Sequence, residues 1–209
     1  MKRPLPERMF RNYGLLSELA PGRFGGVWLV RRLPPGIGGP GICTCLKLLT
    51  SAPRSMYPEL KRAAGSAHRN ACTVFEVDFT DDPFMTMEYL QGGSLLELPR
   101  DPRLIAGIEV QVRACLRTAH EKDIVHGALS ADDVYVTTEG RAVILGFGTA
   151  RTRHDAVPTV EHDLAACDRL FGTSSRVEPM PEPAIGEQVA AACAARIQRE
   201  RALGATGPL

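Results

Sequence analysis

The stretch LRTAHEKDIVHGALSADDVYVTTEGRAVILGFGTAR, residues 116–151, is the most informative part of this chain. It begins inside a helical pattern, because apolar side chains recur at a helical period across residues 103–121. Two short strand-like pieces, DDVYV and RAVILGF, follow, and the turn residues TTEG separate them. The stretch therefore predicts a long helix followed by a small β-insertion.

The residues before this stretch predict a β-rich half that contains one helix. Turns rich in glycine and proline separate segments in which apolar and polar residues alternate. The segment QGGSLLEL then indicates a glycine break and the start of a helix. The predicted strands are LLSELA, GVWLVRRL, ICTCLKLL, CTVFEVDF and PFMTMEYL, and the predicted helix, MYPELKRAAGSA, lies between the third strand and the fourth.

A linker and one more helix are predicted beyond Gly172. Residues 173–183 contain several prolines and polar residues, which is typical of a linker. Residues 184–203 are rich in alanine, and their larger apolar side chains lie on one side of a helical wheel.

Composition and charge exclude several classes of protein. The chain has 209 residues, of which 44% are hydrophobic and 23% charged, as in ordinary soluble domains. A net charge of +1 gives no sign of nucleic-acid or membrane binding. No apolar run approaches the roughly 18 residues that span a bilayer, and the N-terminus has no apolar signal core. The six cysteines lack the spacing of metal ligands, so we expect free thiols and a cytoplasmic location.

A glycine turn and a lysine form the first candidate site. Glycines in Pro21–Val27 would let backbone amides approach a phosphate, although a tight turn between strands also favours glycine. Lys47 ends the strand after the next turn, where an inward lysine would hold phosphates and a lone one would be a solvated edge residue. Glu59, in the short helix, would pair with Lys47 or remain a solvated helix charge.

The order and spacing of these motifs resemble the protein kinase superfamily, in particular its bacterial Ser/Thr kinases. His68–Asn70 resembles the His-Pro-Asn turn, Phe84–Leu90 the strand into the hinge, and Gln91–Leu95 the segment after it. Residues 116–151 resemble the catalytic loop and the magnesium loop. The resemblance implies an α+β, two-lobe fold, with a five-stranded antiparallel N-lobe sheet carrying one helix and a truncated, mainly helical C-lobe.

The resemblance also implies a division of the chain. We expect an N-terminal extension at residues 1–12, an N-lobe at 13–90, a shortened C-lobe at 91–172, a linker at 173–183, and a helix with its tail at 184–209.

Two carboxylates that a working kinase needs are absent. The catalytic loop has His126-Gly127-Ala128 where the family has His-Arg-Asp, and a methyl group at Ala128 cannot accept a proton. The magnesium loop has Gly146 where the family has a metal-binding aspartate. Asp133 occupies the metal-binding asparagine position and is the weak candidate for a metal ligand. The sequence therefore predicts no catalytic residues.

A nucleotide site survives in part. Binding of ATP would be weak and independent of magnesium, and no other cofactor is expected. A tyrosine at position 135 would either fill the adenine space or turn away from it. The resemblance assigns nucleotide contacts to Gly22, Gly25, Val27, Lys47, Glu59, Glu88, Leu90 and Tyr135.

The predicted function is that of a pseudokinase, a scaffold that binds another protein. Only 17 positions separate Gly146 from Asp163 (163 − 146), too few for the family's activation loop and peptide platform. The partner would be an active kinase or a complex subunit, with no nucleic acid and no membrane involved. The alternatives are an atypical ATP-binding Ser/Thr kinase that uses Lys47, Glu59 and Asp133, and a nucleotide sensor.

Overall fold

A computed structural model of the chain describes residues 8–22, 24–32, 43–64, 68–147, 158–172 and 177–203. The chain divides into two compact units. Unit 1 consists of Met1–Ala52, Thr73–Tyr89 and Gln198–Leu209, and unit 2 consists of Pro53–Cys72 and Leu90–Ile197.

Unit 1 is built on an antiparallel sheet of six strands in the order β1-β2-β3-β4-β6-β5. Apolar and β-branched side chains favour these strands, because such side chains pack well on the partly buried faces of a sheet. The strands are β1 (Arg8–Phe10), β2 (Tyr13–Ala20), β3 (Val27–Arg32), β4 (Cys43–Leu48), β5 (Val74–Asp78) and β6 (Phe84–Glu88).

The antiparallel sheet predicted from the sequence is confirmed, with one strand more than expected. Residues 1–12 were expected to be an extension, but β1 pairs with β2 through a turn in which Arg11 has a φ of +50°. The Arg11 guanidinium forms an ion pair with Asp78 and lies 4.8 Å from the Phe84 ring centroid. Three residues are too few to show an alternating pattern, so β1 has no signal in the sequence.

Two apolar clusters cover opposite faces of this sheet. Adjacent residues such as Leu29 and Val30 belong to different clusters, because side chains alternate between the faces of a strand. The Cys45 cluster comprises buried Leu29, Cys43, Cys45 and Tyr89, with Leu16, Leu19 and Met87 packed against them. The Phe84 cluster comprises buried Tyr13, Val30, Leu46 and Phe84, with Phe10, Leu15, Trp28 and Leu48 packed against them.

Unit 2 surrounds one long helix with shorter helices and a small sheet. A three-stranded antiparallel sheet has the order β7-β8-β9, and one apolar core joins it to the helices. The elements are α1 (Tyr57–Ala64), β7 (Gly92–Ser94), α2 (Pro102–His120), β8 (Val134–Thr137), β9 (Ala142–Ile144), α3 (Val160–Phe171), α4 (Glu182–Ala192) and α5 (Ala194–Ala202). The final residues of α5, from Gln198, belong to unit 1.

The start of α2 follows from its N-terminal residues. The Asp101 side chain accepts hydrogen bonds from the backbone amides of Arg103 (2.8 Å) and Leu104 (3.3 Å). Pro102, which lacks an amide proton, occupies the first turn, where no helical partner would be available to it. The buried face carries Leu104, Ile108, Val112, Cys115 and Leu116 at helical spacing, as the sequence predicted.

Two elements differ from the sequence-based expectation. The glycines of QGGSLLEL form β7 rather than a plain break, because they pair with β8. The helix expected at 184–203 is two helices with a break at Cys193, and α4 begins at Glu182. Both pack on the fold, since Ile185, Val189, Cys193 and Ile197 are buried in the core of unit 2.

No helix among the described residues has both the length and the apolar character needed to cross a bilayer.

Candidate functional site

The glycine turn of unit 1 needs glycine for its own geometry. Gly22 has a φ of +58° and Gly25 a φ of +145°. A Cβ at Gly22 would lie 2.0 Å from the Gly25 carbonyl oxygen, and a Cβ at Gly25 would lie 2.6 Å from the Leu48 Cβ. Such distances are far inside van der Waals contact, so both positions exclude larger residues. The glycines that the resemblance assigned to phosphate binding therefore have a structural role.

The same turn is held against the end of β4. The Phe24 carbonyl accepts hydrogen bonds from the Ser51 amide (3.1 Å) and from Oγ1 of Thr50 (3.0 Å). The Gly26 carbonyl accepts one from the Leu48 amide (3.0 Å), and Phe24 itself is buried. These bonds fix the turn next to the strand that carries Lys47.

Lys47 and Val27 lie opposite each other on neighbouring strands. Lys47 is two residues from Cys45, and Val27 is two residues from Leu29. Since residues i and i+2 of a strand share a face, Lys47 and Val27 lie on the face of the Cys45 cluster. The structure therefore brings two of the predicted nucleotide contacts together on one sheet face.

The structure also describes the positions of Glu88, Leu90 and Glu59, which the resemblance assigns to the nucleotide. Oε1 of Glu88 accepts a hydrogen bond from the Thr73 amide (2.8 Å), and Leu90 is buried in unit 2. Glu59 lies in α1 of unit 2, and its side chain is outside the described residues. The predicted pairing of Glu59 with Lys47 stays a prediction.

A buried aspartate organises the loop that resembles the catalytic loop. Asp163, in the first turn of α3, is fully buried. Its Oδ1 accepts a hydrogen bond from the Gly127 amide (2.6 Å), and its Oδ2 accepts one from the His126 amide (2.8 Å). Nε2 of His120 also lies 2.8 Å from Oδ2. Several donors thus offset the cost of burying this charge, and they fix the loop backbone.

The His126 ring ties this loop to the magnesium-loop segment. Its Nε2 lies 2.8 Å from the Leu145 carbonyl oxygen, and its ring meets the Phe147 ring edge to face at 5.2 Å between centroids. Ala128 and Gly146 lie within these two held segments, and neither provides a carboxylate. Gly146 has a φ of +82°, a conformation that a residue with a Cβ adopts only under strain.

Asp133, the candidate metal ligand, is engaged locally. Its Oδ2 accepts hydrogen bonds from the amide (2.9 Å) and the hydroxyl (2.5 Å) of Ser130, which together cap the 3-10 turn Ala131–Asp133. Across the described residues, no three His, Cys, Asp or Glu side chains come together as a metal-binding group. Of the two positions that the resemblance assigns to magnesium, only Asp133 therefore provides a carboxylate, since Gly146 has no side chain.

Tyr135 is anchored to β7. Its hydroxyl donates a hydrogen bond to the Gly92 carbonyl (2.9 Å), and the Arg196 guanidinium donates to the same carbonyl. Nη1 of Arg196 lies 2.5 Å from Oε1 of Glu97. Burial tends to lower the pKa of Arg196, but its attraction to Tyr135 and its hydrogen bond with Glu97 outweigh this, and the pKa is raised.

Sequence reasoning missed a buried polar network in unit 2. Nδ2 of Asn70 donates to Oε1 of Gln111 (2.8 Å) and to the Ala142 carbonyl (2.6 Å), and Nε2 of Gln111 donates to the Gly140 carbonyl (2.9 Å). A glutamine between apolar positions of α2 was the available signal. The contacts of Arg196 had no such signal, because Arg196 and Glu97 are 99 residues apart.

The predicted shortening of the activation segment concerns residues 148–157, which lie outside the described residues.

Comparison with curated proteins finds serine/threonine protein kinases. The chain is 34% identical over 195 residues to the kinase Pkn1 of Myxococcus xanthus, covering 85% of this chain and 26% of that protein. It is 29% identical over 141 residues to a probable kinase of Streptomyces coelicolor, covering 63% and 20%. It is 27% identical over 157 residues to Nek5 of Mus musculus, covering 70% and 24%.

The matched region thus spans about a fifth to a quarter of the length of these relatives. No family model matches the chain.

Proposed function

This chain is related to the protein kinase superfamily, and on that premise we propose that it is a pseudokinase that acts by binding another protein. The observation that carries the proposal is the contrast inside unit 2. Asp163 and His126 hold the loop backbones by short hydrogen bonds, whereas Ala128 and Gly146 stand where the family has carboxylates.

The chemistry of phosphoryl transfer explains why these two positions matter. A carboxylate in the catalytic loop orients the substrate hydroxyl and accepts its proton, and a second carboxylate holds magnesium against the phosphates. Neither the methyl group of Ala128 nor the hydrogen atom of Gly146 can do either task. Asp133 cannot serve as both groups, and its Oδ2 already accepts two hydrogen bonds from Ser130.

A role in protein binding is supported by what the chain retains. The contacts of His126, Phe147 and Asp163 serve packing and loop placement rather than chemistry. A chain that keeps these packing contacts but lacks the reactive groups still presents a stable surface. The proposed partner that binds this surface is an active kinase or a complex subunit.

The thermal stability of the purified chain with ATP tests this proposal. We expect no stabilisation by ATP that depends on magnesium, because Gly146 stands where the family has its metal-binding carboxylate. The comparison uses ATP with magnesium, ATP with a chelator, and buffer alone, for the wild type, Lys47→Ala and the control Lys61→Ala, whose side chain is exposed on α1.

Clear magnesium-dependent stabilisation that Lys47→Ala removes and Lys61→Ala retains would contradict the proposal and favour an atypical kinase. A second candidate, a nucleotide sensor without catalysis, is favoured by the shared sheet face of Val27 and Lys47. That candidate requires stabilisation by ATP that survives chelation of the metal.

A further inference from the structure

Strand β1 gains little from its own pairing within unit 1. It has only three residues, and a short hairpin by itself is marginally stable in water. Met9 is 52% exposed, and it pairs with Gly14, which has no side chain to pack against it. The position of β1 therefore depends on its last residue, Phe10, and on the turn that follows.

Both ends of the six-stranded sheet pack on the buried ring of Phe84. The Phe10 ring meets the Phe84 ring edge to face, at 5.4 Å between centroids, and the Tyr13 ring does so at 6.0 Å. The Tyr13 hydroxyl also donates a hydrogen bond to Oε2 of Glu76 on β5 (2.5 Å). Since β1 and β5 lie at opposite ends of the strand order, the sheet curls around Phe84 and side chains join its two ends.

Arg11, in the turn after β1, joins these two ends by charge. Its guanidinium forms an ion pair with Asp78, and its Nη2 donates to Oγ1 of Thr80 (3.1 Å) and to the Asp82 carbonyl (3.3 Å). The guanidinium also lies 4.8 Å from the Phe84 ring centroid. Asp78 is charged at neutral pH, because hydrogen bonds from Thr80, and then from Arg11, lower its pKa to about 2. One side chain thus fixes the β1–β2 turn to the β5–β6 turn.

The backbone of Arg11 indicates that these contacts impose the shape of the turn. Its φ is +50°, in the left-handed region that a residue with a Cβ adopts only when its surroundings require it. We propose that β1 is a strap over the Phe84 ring, closed by an ionic latch of Arg11 and Asp78, and that the strap opens by itself while the rest of the sheet stays folded. The proposal is independent of the proposed function, since neither partner binding nor catalysis enters it.

Opening of the strap would change the edge of the sheet. Without β1, the eight-residue strand β2 becomes the edge strand, and the part of the Phe84 ring that Phe10 covers becomes accessible. A long edge strand presents unpaired backbone groups to which another chain can add a strand. The latch therefore decides whether unit 1 presents a short edge or a long one.

The test is amide hydrogen exchange in the wild type and in Arg11→Met, which keeps an apolar side chain but removes the charge. We expect the amides of residues 9–15 to exchange roughly tenfold faster, from the loss of an ion pair and a cation–π contact that share one guanidinium. Amides of β4, in the interior of the sheet, should keep their wild-type rates. The matched control, Arg32→Met, removes a guanidinium 5.9 Å from the Tyr13 ring centroid and should change the rates by no more than about twofold, because such contacts fade near 6 Å.

Asp78→Asn tests the latch from its other partner. Asparagine keeps an oxygen that accepts the hydrogen bonds of Thr80 but removes the charge with which Arg11 pairs. This variant should also speed exchange of amides 9–15, and the double variant should exchange no faster than Arg11→Met, because both changes break the same pair. Wild-type exchange of these amides in Arg11→Met would overturn the proposal. Equally faster exchange throughout unit 1, or additive effects of the two changes, would also overturn it.

Discussion

At the scale of single residues, the most consequential side chain is that of Asp163. It is fully buried and accepts hydrogen bonds from the backbone amides of His126 and Gly127. A carboxylate that has lost its water survives only because these donors replace the water. The position of the loop around Ala128 thus depends on one buried side chain.

Asp163→Asn tests this dependence. The amide group keeps the size of the side chain but presents N–H donors where the loop also presents donors, so we expect a loss of about 3 kcal/mol in unfolding free energy. Urea denaturation measures it. The control Asp168→Asn, on the same helix, breaks a surface pair with Arg113 and should cost less than about 1 kcal/mol. Equal losses for the two variants would contradict the proposed role of Asp163.

Single residues also show what the sequence could predict. The absence of carboxylates at Ala128 and Gly146 is visible directly in the sequence, because the flanking motifs fix the alignment. The capping of Ser130 by Asp133 was not predicted, because side-chain rotamers are set by local packing.

At the scale of elements, the glycine turn between β2 and β3 has a structural explanation. Gly25 approaches β4 so closely that a methyl group would contact Leu48, and carbonyls of the turn accept bonds from Leu48 and Ser51. A loop whose glycines served only phosphate binding would need no such contacts with the strand.

Gly25→Ala should therefore destabilise the fold in the absence of nucleotide. We expect a loss of about 3 kcal/mol, from a strained backbone together with overpacking against Leu48. The control is Gly172→Ala, where φ is +68° but, among the described residues other than its chain neighbours, no atom lies within 4 Å of the added Cβ. The control should lose less than Gly25→Ala, because it meets backbone strain without overpacking. An unchanged denaturation midpoint for Gly25→Ala would show that the turn is not held as described.

Long periodic elements were predicted well and short ones poorly. The apolar stripe of α2 and the alternation in β2 to β6 specify their type, since burial on one side imposes a period. Strands β1 and β7 have three residues each, and pairing with a distant strand rather than local preference makes them strands. The break at Cys193 was hidden because alanines on both sides favour a helix.

At the scale of the whole molecule, the sequence predicted the family relationship because several motifs occur in the family's order. Contacts that join remote parts of the chain could not be predicted from the sequence. The Tyr89 and Glu200 pair spans 111 residues, and no local pattern signals such a contact.

The central claim is that this kinase relative transfers no phosphoryl group. The direct measurement is incorporation of labelled γ-phosphate from magnesium ATP into the chain itself and into a general protein substrate, for the wild type and Lys47→Ala. We predict equal, background incorporation for both proteins, because Ala128 and Gly146 supply no carboxylate. Incorporation by the wild type that grows with time and is lost in Lys47→Ala would contradict the claim.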